Sequence, residues 1–301
     1  MSACHILGLK SVFPFTPDAE CSCEVNPGML SDRFAETVAE NGINRVSMGA
    51  QALQDRLLRT LGRLHTVRDV EKSMTRLREH GIRNINLDLM FGLPGQSVPD
   101  WRETLEAAFS LEPEHLSCYG LIPEEGTEMK AAIDSGEVTL PSEEEEREMY
   151  DIACRLCEEH GFLHYEISNF ALPGRECRHN TDCWERREYI GLGCAACGFK
   201  DGIRSRNPGT IAGYLAGEAP EEERISPADA RFESMMLGLR MMKGVNEGAF
   251  QAQHGISMRE AFGDRLNLPV KEGLAVFENG YYRLTRRGMD LQNRVLVALM
   301  D

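Results

Sequence analysis

Strand-like and helix-like segments alternate along the first two-thirds of the chain. Runs rich in apolar and β-branched residues predict strands at residues 21–25, 43–48, 82–90, 115–121 and 162–168. Longer amphipathic segments between them predict helices. Thr66 with Asp69, and Ser97 with Asp100, have the spacing of capping boxes that begin helices. Strands separated by helices indicate βαβ units and a parallel sheet, the α/β fold class.

A near repeat supports this α/β interpretation. Residues 42–46 are Gly-Ile-Asn-Arg-Val and residues 81–85 are Gly-Ile-Arg-Asn-Ile, an offset of 39 residues. Such an offset accommodates one helix, one strand and their loops. The usual closed arrangement of these units is a (βα) barrel, in which ligand-binding residues gather at the carboxyl ends of the strands.

The last third of the chain has a different pattern. Residues from 170 to about 212 are rich in Gly, Asn and Arg and predict loops with short elements, and the pattern is helical again from about 227. Residues 280–285 predict a small hairpin before a last helix. We therefore expect a barrel domain at 1–170, a loop-rich connecting region at 171–226, and a helical, winged-helix-like domain at 227–301.

Charge and composition argue against several classes of function. The 301 residues include 33 Lys and Arg against 48 Asp and Glu, and this net charge of −15 argues against nucleic acid or an anionic membrane as the main partner. No window holds the roughly 18 consecutive apolar residues of a membrane span. The first residues lack the pattern of a secretory signal. We therefore expect a cytoplasmic protein whose ten cysteines are reduced.

Polar residues lie where the predicted barrel strands end. Glu24 precedes an Asn-Pro pair, Gln51 follows the second strand, and Asp88 lies just before a glycine turn at 92–95. An acidic side chain in this position can hold a ribose hydroxyl or an amine, and glycines let a ligand approach the backbone. For each residue alone, a structural role as a strand-end cap or as part of a buried polar network fits as well as a role in ligand binding. Together they favour a small-molecule site at the barrel mouth.

Several long motifs occur in a fixed order, at residues 23–28, 42–51, 61–65, 86–96 and 165–171. In this order they resemble the radical S-adenosylmethionine proteins related to oxygen-independent coproporphyrinogen III oxidase. Residues 165–171 and the pattern His179-Asn180-x-x-x-Trp184 are more similar to the heme chaperone branch. The resemblance runs from about residue 10 to the C-terminus. It implies a radical-SAM-type (βα) barrel.

The resemblance implies a binding site for S-adenosylmethionine and a ligand for heme. Family positions that contact S-adenosylmethionine match Glu24, Gln51, Arg63, Asp88, Ile122 and Cys197. Arg63 would reach the methionine carboxylate, for which a guanidinium fork is suited. The family's heme-binding motif includes the position of His179. Imidazole is a standard axial ligand of heme iron, and Trp184 would offer a face for the macrocycle. A loop histidine bonded to backbone is the alternative interpretation of His179.

The chain departs from the family at its defining feature. The family holds a [4Fe–4S] cluster with a Cys-x3-Cys-x2-Cys loop after the first barrel strand, and this sequence contains no such triplet. A family-typical Gly-Gly-Gly-Thr-Pro turn is also missing. We therefore expect an incomplete barrel without its first two strand–helix units, from a misassigned start, a gene fragment or a decayed paralogue. We expect no cluster ligands, no radical chemistry and an open sheet edge at the first strand.

Cysteines outside that missing motif have two interpretations. Cys21 and Cys23 are expected in the core. Cys177, Cys183, Cys194 and Cys197 lie in one loop-rich stretch, where a metal site is the alternative to free thiols, although their gaps fit no common zinc module. Cys183 stands where the branch often has tyrosine, and Cys197 where it often has histidine.

Three functions follow from these observations. The resemblance implies a heme chaperone, with heme as ligand and heme-accepting respiratory proteins as partners. The alternative is an enzyme of the same fold that decarboxylates coproporphyrinogen III, and the missing cluster loop counts against it. Nucleic-acid binding by the winged-helix-like tail conflicts with the net charge and the scattered placement of Arg283, Arg286 and Arg287.

Overall fold

The computed structural model describes residues 3–300, with side chains from residue 8 onward. The chain divides into two compact units. The first comprises residues up to 164 together with 168–176, and the second comprises residues 165–167 and those from 177 onward. The three-part division expected at 170 and 226 remains a prediction.

The first unit alternates helices with strands. Its helices are α1 (Ala3–Val12), α2 (Asp32–Glu40), α3 (Asp55–Thr60), α4 (Val67–Glu79), α5 (Val98–Ser110), α6 (Glu128–Asp134) and α7 (Glu143–Glu159). Its strands are β1 (Ser22–Val25), β2 (Arg45–Gln51), β3 (Asn84–Phe91), β4 (His115–Gly120), β5 (Leu163–Glu166) and β6 (Asn169–Ala171), and β5 ends in the second unit. A 3₁₀ helix spans Pro27–Met29.

Side-chain caps begin the long helices of this unit. Ser97 begins α5 by accepting a hydrogen bond from the Asp100 N–H, and Asp100 accepts one from the Ser97 N–H at 2.7 Å. Asp69 accepts a bond from the Thr66 N–H at 2.9 Å at the start of α4. Both predicted capping boxes are therefore confirmed. These reciprocal bonds satisfy N–H groups that no helix turn can reach.

A six-stranded sheet forms the centre of the first unit. The strand order is β1-β2-β3-β4-β6-β5, so β1 lies at one edge. Strands β1 to β4 pair in parallel, and β6 runs antiparallel to β4. A helix lies between each pair of successive parallel strands along the chain. The α/β class with a parallel sheet is confirmed, and the first strand is an edge strand, as expected.

Helices cover one face of this sheet. Alternate side chains of β2 and β3 are fully buried there, namely Val46, Met48, Leu87 and Leu89. Trp101 of α5 is also fully buried, and its Nε1 donates a hydrogen bond to the Met149 carbonyl of α7 at 2.8 Å. Because strand side chains alternate between faces, the residues between these apolar positions lie on the opposite face.

The second unit combines helices with two small sheets. Its elements are α8 (Arg178–Trp184), β7 (Cys197–Lys200), β8 (Ile203–Arg206), α9 (Ile211–Ala216), β9 (Glu221–Arg224), α10 (Pro227–Gly238), β10 (Val245–Asn246), α11 (Glu247–His254), α12 (Met258–Phe262), α13 (Asn267–Lys271), β11 (Ala275–Glu278), β12 (Tyr281–Leu284), α14 (Arg286–Asp290) and α15 (Gln292–Leu299). Gly263–Leu266 is a 3₁₀ helix. Helices together with a short antiparallel sheet form its C-terminal part, as expected.

The sheet β7-β8-β9 includes a strand that the hydrophobic pattern does not indicate. β9 has the sequence Glu-Glu-Glu-Arg, and all four residues are exposed. Its pairing with β8 is antiparallel, and Arg204 Nη1 lies 3.0 Å from Glu223 Oε2 across the pair. Cross-strand charge pairs of this kind stabilise sheet pairing without apolar residues.

The predicted C-terminal hairpin is confirmed with a larger extent. β11 and β12 pair antiparallel, and β10 joins the other side of β12. The turn consists of Asn279 and Gly280, with φ of 51° and 77°. Two successive positive φ values are typical of the Asn-Gly hairpin turn, whose twist matches that of the strands. Within the residues described, no helix has the length and apolar character needed to cross a bilayer.

Candidate functional site

The face of the first unit's sheet that lies opposite the helix-covered face is polar. We call this set of residues the polar face: Glu24 on β1, Ser47 on β2, Asn86 and Asp88 on β3, and His115 and Ser117 on β4. The register places Glu24 opposite Ser47 and Asp88 opposite Ser117. Four neighbouring strands thus contribute polar side chains to one surface.

Asn86 is the centre of a hydrogen-bond network on the polar face. Its Nδ2 donates to Ser47 Oγ at 2.7 Å and to Asp88 Oδ1 at 2.8 Å. Its Oδ1 lies 2.6 Å from His115 Nδ1 and accepts a bond from Ser117 Oγ at 3.2 Å. Because that oxygen can only accept, the proton of this pair is on Nδ1 of His115. Ser47 Oγ donates to Asp88 Oδ2 at 3.0 Å, which completes the network.

The carboxylate of Asp88 is held in a partly dehydrated site. Burial raises its pKa, hydrogen bonds from Ser117, Ser47 and Asn86 counteract that rise, and the charge of Glu24 raises it further. Glu24 lies opposite Ser47 in the strand register, and Ser47 Oγ donates to Asp88 Oδ2, so both carboxylates belong to the same part of the polar face. An edge with two neighbouring carboxylates is suited to a ligand with an amine, a sulfonium or ribose hydroxyls.

His115 is kept neutral deeper in the polar face. Burial lowers its pKa well below the ordinary value, and the guanidinium of Arg45 lowers it further. Arg45 is itself buried, and its Nε has no hydrogen-bond partner among the residues described. Neutral imidazole lets His115 serve as a fixed donor to Asn86, so its role here is to position the network.

Gln51 ends β2 in a conformation that only a few side chains adopt. Its φ is 67°, in the left-handed region. A β-carbon built on Gly49 would lie 3.0 Å from Gln51 Nε2 and 3.7 Å from Asn26 Oδ1, so the glycine leaves room for the amide beside the end of β1. Glu24 and Gln51 therefore lie at the same end of the sheet, where the parallel strands β1 and β2 have their carboxyl ends. Strained backbone of the kind found at Gln51 is concentrated at ligand sites.

Arg63 and Ile122 lie on loops that are tied to this edge. Arg63 is exposed, two residues before the buried His65, whose Nε2 lies 3.2 Å from the Ala50 carbonyl. Ile122 is 82% exposed and follows Leu121, whose N–H bonds the Phe91 carbonyl at the end of β3. Neither side chain is in contact with the network, so their roles toward a ligand stay predictions.

The other two candidate residues belong to the second unit. Cys197 is exposed and begins β7. His179 is exposed on α8, one turn from Cys183, with its Nε2 3.8 Å from the Cys183 Sγ. Burial raises the pKa of the Cys183 thiol, as does the neighbouring charge of Asp182. Cys183 is therefore a neutral thiol beside the imidazole.

The cysteines that the structure describes are free thiols. Cys23 is buried in the core, where burial raises its pKa to about 11, and the partly buried Cys21 packs against the same core. This agrees with the core interpretation of both residues. Within the described part of the chain, no three His, Cys, Asp or Glu side chains are grouped so as to hold a metal ion.

Sequence reasoning missed four members of the polar face, Ser47, Asn86, His115 and Ser117. A signal was present, because Asn86-x-Asp88 and His115-x-Ser117 place polar residues at alternate positions of otherwise apolar strands. Which of these residues are neighbours depends on the register between the strands, and the sequence alone does not show that register.

Comparison with known proteins identifies the class of protein to which the chain belongs. The model of the Radical SAM superfamily matches residues 3–108, and that of the HemN C-terminal domain matches residues 225–291. A solved structure titled as coproporphyrinogen III oxidase (HemN) from Escherichia coli superposes with a TM-score of 0.82 at 19% identity, covering 99% of this chain and 73% of that chain. At this identity the likeness shows the fold, which is that of a radical SAM protein.

Sequence relatives identify the family within this class. Heme chaperone HemW of Bacillus subtilis is 37% identical over 299 residues, which are 95% of this chain and 77% of the relative. Heme chaperone HemW of Lactococcus lactis is 35% identical over 281 residues, 92% of this chain and 74% of the relative. The chain belongs to the heme chaperone HemW family.

Family membership implies the cofactors of the class, S-adenosylmethionine and a [4Fe–4S] cluster. The polar face fits the first of these, because carboxylates and an amide meet at one sheet edge. The described side chains offer no group of three ligands that fits a cluster. We therefore derive no reaction step through a cluster.

Proposed function

We propose that this chain binds heme through His179 and delivers it to a heme-accepting protein. The observation that carries this proposal is the availability of the imidazole. His179 is exposed, and its one close polar contact among the residues described is the thiol of Cys183. A histidine bonded to backbone, the alternative interpretation from the sequence, does not fit this side chain.

Other histidines of the chain are used differently. His65 Nε2 lies 3.2 Å from the Ala50 carbonyl, His160 Nδ1 lies 2.8 Å from the Leu156 carbonyl, and His254 Nε2 lies 2.8 Å from Ser234 Oγ. Each of these rings already serves the fold through a short hydrogen bond. By contrast, the imidazole of His179 lies on an exposed helix surface, where heme iron can reach it. The neutral Cys183 thiol competes poorly for iron, because the thiolate is the metal ligand.

We also propose that the carboxyl edge of the polar face holds S-adenosylmethionine. Glu24 would accept hydrogen bonds from ribose hydroxyls or the amine, Asp88 would supply a second negative charge, and Arg63 would pair with the methionine carboxylate. The acidic pair Glu24 and Asp88 supports this assignment, because Glu24 lies opposite Ser47, whose hydroxyl bonds Asp88. Two further statements remain predictions, namely that heme-accepting respiratory proteins are the partners and that the protein is cytoplasmic.

Titration with hemin tests the heme assignment. We expect wild-type protein to give a saturable, one-to-one shift of the Soret band, and His179→Ala to lose the sharp shift because the iron has lost its axial ligand. His160→Ala serves as the matched control, since that ring is bonded to its own helix. An unchanged titration of His179→Ala would remove this residue from the ligand set.

Calorimetric titration with S-adenosylmethionine tests the second assignment. We expect Glu24→Gln to raise the dissociation constant at least about tenfold, since a charge-assisted hydrogen bond is worth about 1.5–3 kcal/mol. Glu20→Gln, which precedes β1, is the control. Equal dissociation constants for Glu24→Gln and Glu20→Gln would contradict the assignment of Glu24.

A further inference from the structure

The near repeat of the sequence forms two equivalent turns, each between a helix and the strand that follows it. Gly42 follows α2 with φ of 75°, and Gly81 follows α4 with φ of 84°. In both turns the glycine N–H bonds the carbonyl three residues earlier, and the next residue, an isoleucine, bonds the carbonyl five residues earlier. This is the Schellman motif, which needs a left-handed residue after the helix. The repeated Gly-Ile pair therefore encodes a helix end.

A cavity of about 420 Å³ in the first unit is lined by both turns. The first residue of β3 and Arg175, which follows β6, complete its walls. The volume falls within about 300–1,000 Å³, the range that is typical of small-molecule sites. Both turns precede their strands, so the cavity lies at the amino ends of β2 and β3. Glu24 and Gln51 lie at the carboxyl ends of β1 and β2, and the cavity is therefore a separate site.

The cavity is lined by basic side chains. These are His80, Arg83 and Arg175, and no Asp or Glu of the described residues lines it. Both arginines are exposed, and neither guanidinium makes a hydrogen bond or an ion pair within the described part of the chain. A β-carbon built on Gly42 would lie 2.8 Å from Nζ of Lys10, so a further cation lies beside the cavity. In a chain of net charge −15, unpaired cations grouped without a carboxylate favour an anion.

Negative groups near the two turns are already bonded or are out of reach. The last carbonyls of a helix carry partial negative charge, but the Schellman bonds occupy several of them, and Lys10 Nζ donates to the Asn41 carbonyl at 2.8 Å. The carboxylate of Glu114 accepts the Ile85 N–H at 3.0 Å. Oδ1 of Asn84 has no partner among the residues described, but the atom is buried and no ligand reaches it. The side chains that a ligand can reach are therefore mainly cationic donors.

We propose that this cavity binds a polyphosphate chain, either free or as part of a nucleotide. A guanidinium group binds phosphate oxygens through two parallel hydrogen bonds, and Arg83 and Arg175 come from separate segments, so each can hold a different phosphate group. A phosphate offers three acceptor oxygens and a carboxylate two, so phosphate better suits a site with several donors. At about 30 Å³ per water the volume equals roughly fourteen water molecules, which leaves room for more than one phosphate. The inference goes beyond the proposed function, because it needs neither heme nor S-adenosylmethionine.

Calorimetric titration with pyrophosphate, in a buffer without magnesium, tests the proposal. Pyrophosphate contains no adenosine, so it lacks the group that the carboxyl edge of the polar face would recognise. We expect saturable, one-to-one binding that weakens as the salt concentration rises, because salt screens exposed charges. Orthophosphate is expected to have a dissociation constant at least about tenfold higher, since it engages fewer donors. Equal constants for the two anions, tighter binding of citrate than of pyrophosphate, or no binding at millimolar pyrophosphate would each overturn the proposal.

A titration with ATP distinguishes the two sources of the polyphosphate chain. A lower dissociation constant for ATP than for pyrophosphate would identify a nucleotide as the ligand, and an equal or higher one would identify the free chain. Both results support the site if Arg83→Gln weakens the binding of ATP as well. ATP binding that Arg83→Gln leaves unchanged would contradict the nucleotide as a ligand of this cavity.

Variants locate the binding within the cavity. We expect Arg83→Gln and Arg175→Gln each to weaken pyrophosphate binding about tenfold, the loss of one charge-assisted hydrogen bond. Arg33→Gln is the matched control, because Arg33 is also exposed and lies in the first turn of α2, at the other end of that helix from the cavity. The arginines of the cavity are exposed and unpaired within the described chain, so their replacement is expected to leave the circular dichroism spectrum unchanged. The proposal fails if the two cavity variants bind pyrophosphate as Arg33→Gln does.

This proposal and the proposed function fail separately. We expect Glu24→Gln to bind pyrophosphate as the wild type does, and Arg83→Gln to give the wild-type titration with hemin. Loss of pyrophosphate binding in Glu24→Gln would show that the cavity is not an independent site. If His179→Ala and Glu24→Gln leave the binding of hemin and S-adenosylmethionine unchanged while Arg83→Gln weakens pyrophosphate binding, the proposed function fails and the polyphosphate site stands.

Discussion

Replacement of Asn86 by alanine is expected to lower the free energy of unfolding by about 3 kcal/mol, since several buried polar groups lose their partner at once. Asn86 is 1% exposed, and its amide connects Ser47, Asp88, His115 and Ser117. Its loss removes the 2.6 Å contact between Asn86 Oδ1 and Nδ1 of His115. It also removes one of the bonds that counteract the raised pKa of Asp88.

Urea unfolding followed by circular dichroism measures this loss. Asn84→Ala is the matched control, because Asn84 lies on the same face of β3 and its Oδ1 has no hydrogen-bond partner among the residues described. We expect the control to change the free energy of unfolding by less than about 1 kcal/mol. Equal shifts of the urea midpoint in the two variants would contradict the network.

Replacement of Trp101 by alanine is expected to lower the free energy of unfolding by about 3–5 kcal/mol, the usual cost of removing a large core side chain. Trp101 lies on α5 and is fully buried against α7 and the sheet. Its ring lies 5.5 Å from that of Phe91, centre to centre. Removing the ring leaves a cavity and frees the Met149 carbonyl.

Trp101→Phe keeps the expected effect measurable if the alanine variant does not fold. We expect it to lose about 1–2 kcal/mol, because an aromatic ring remains while the hydrogen bond to Met149 and part of the volume are lost. Thermal and urea unfolding by circular dichroism provide the comparison. A loss in Trp101→Phe as large as that in Trp101→Ala would show that volume is not the cause.

Local signals in the sequence accounted for most elements of the first unit. The capping boxes at Thr66 and Ser97 act within one helix turn, so residues three apart suffice to predict them. Apolar runs predicted the strands, with bounds that shifted by one to three residues at most ends. β9 escaped because its charged residues form a strand only when β8 lies beside them.

The candidate site was predicted only in part. Glu24, Gln51 and Asp88 were identified from their positions at strand ends, and the structure brings the first and third within electrostatic reach. Asn86 and His115 were not, because their function depends on which strand lies next to which. The cavity lined by Arg83 and Arg175 could not be predicted either, since its walls come from three separate stretches of the chain, at residues 39–44, 80–84 and 175.

The sequence by itself determined the alternation of helices and strands, the family and the motif that contains His179. These depend on residue spacing and on helix and strand periodicity, which are local properties of the chain. Only the tertiary structure decided that Asn86 joins four side chains on one face, that His179 is exposed, and that Arg83 and Arg175 line one cavity. Hydrogen bonding and burial depend on neighbours in space, and strand register and helix packing choose those neighbours.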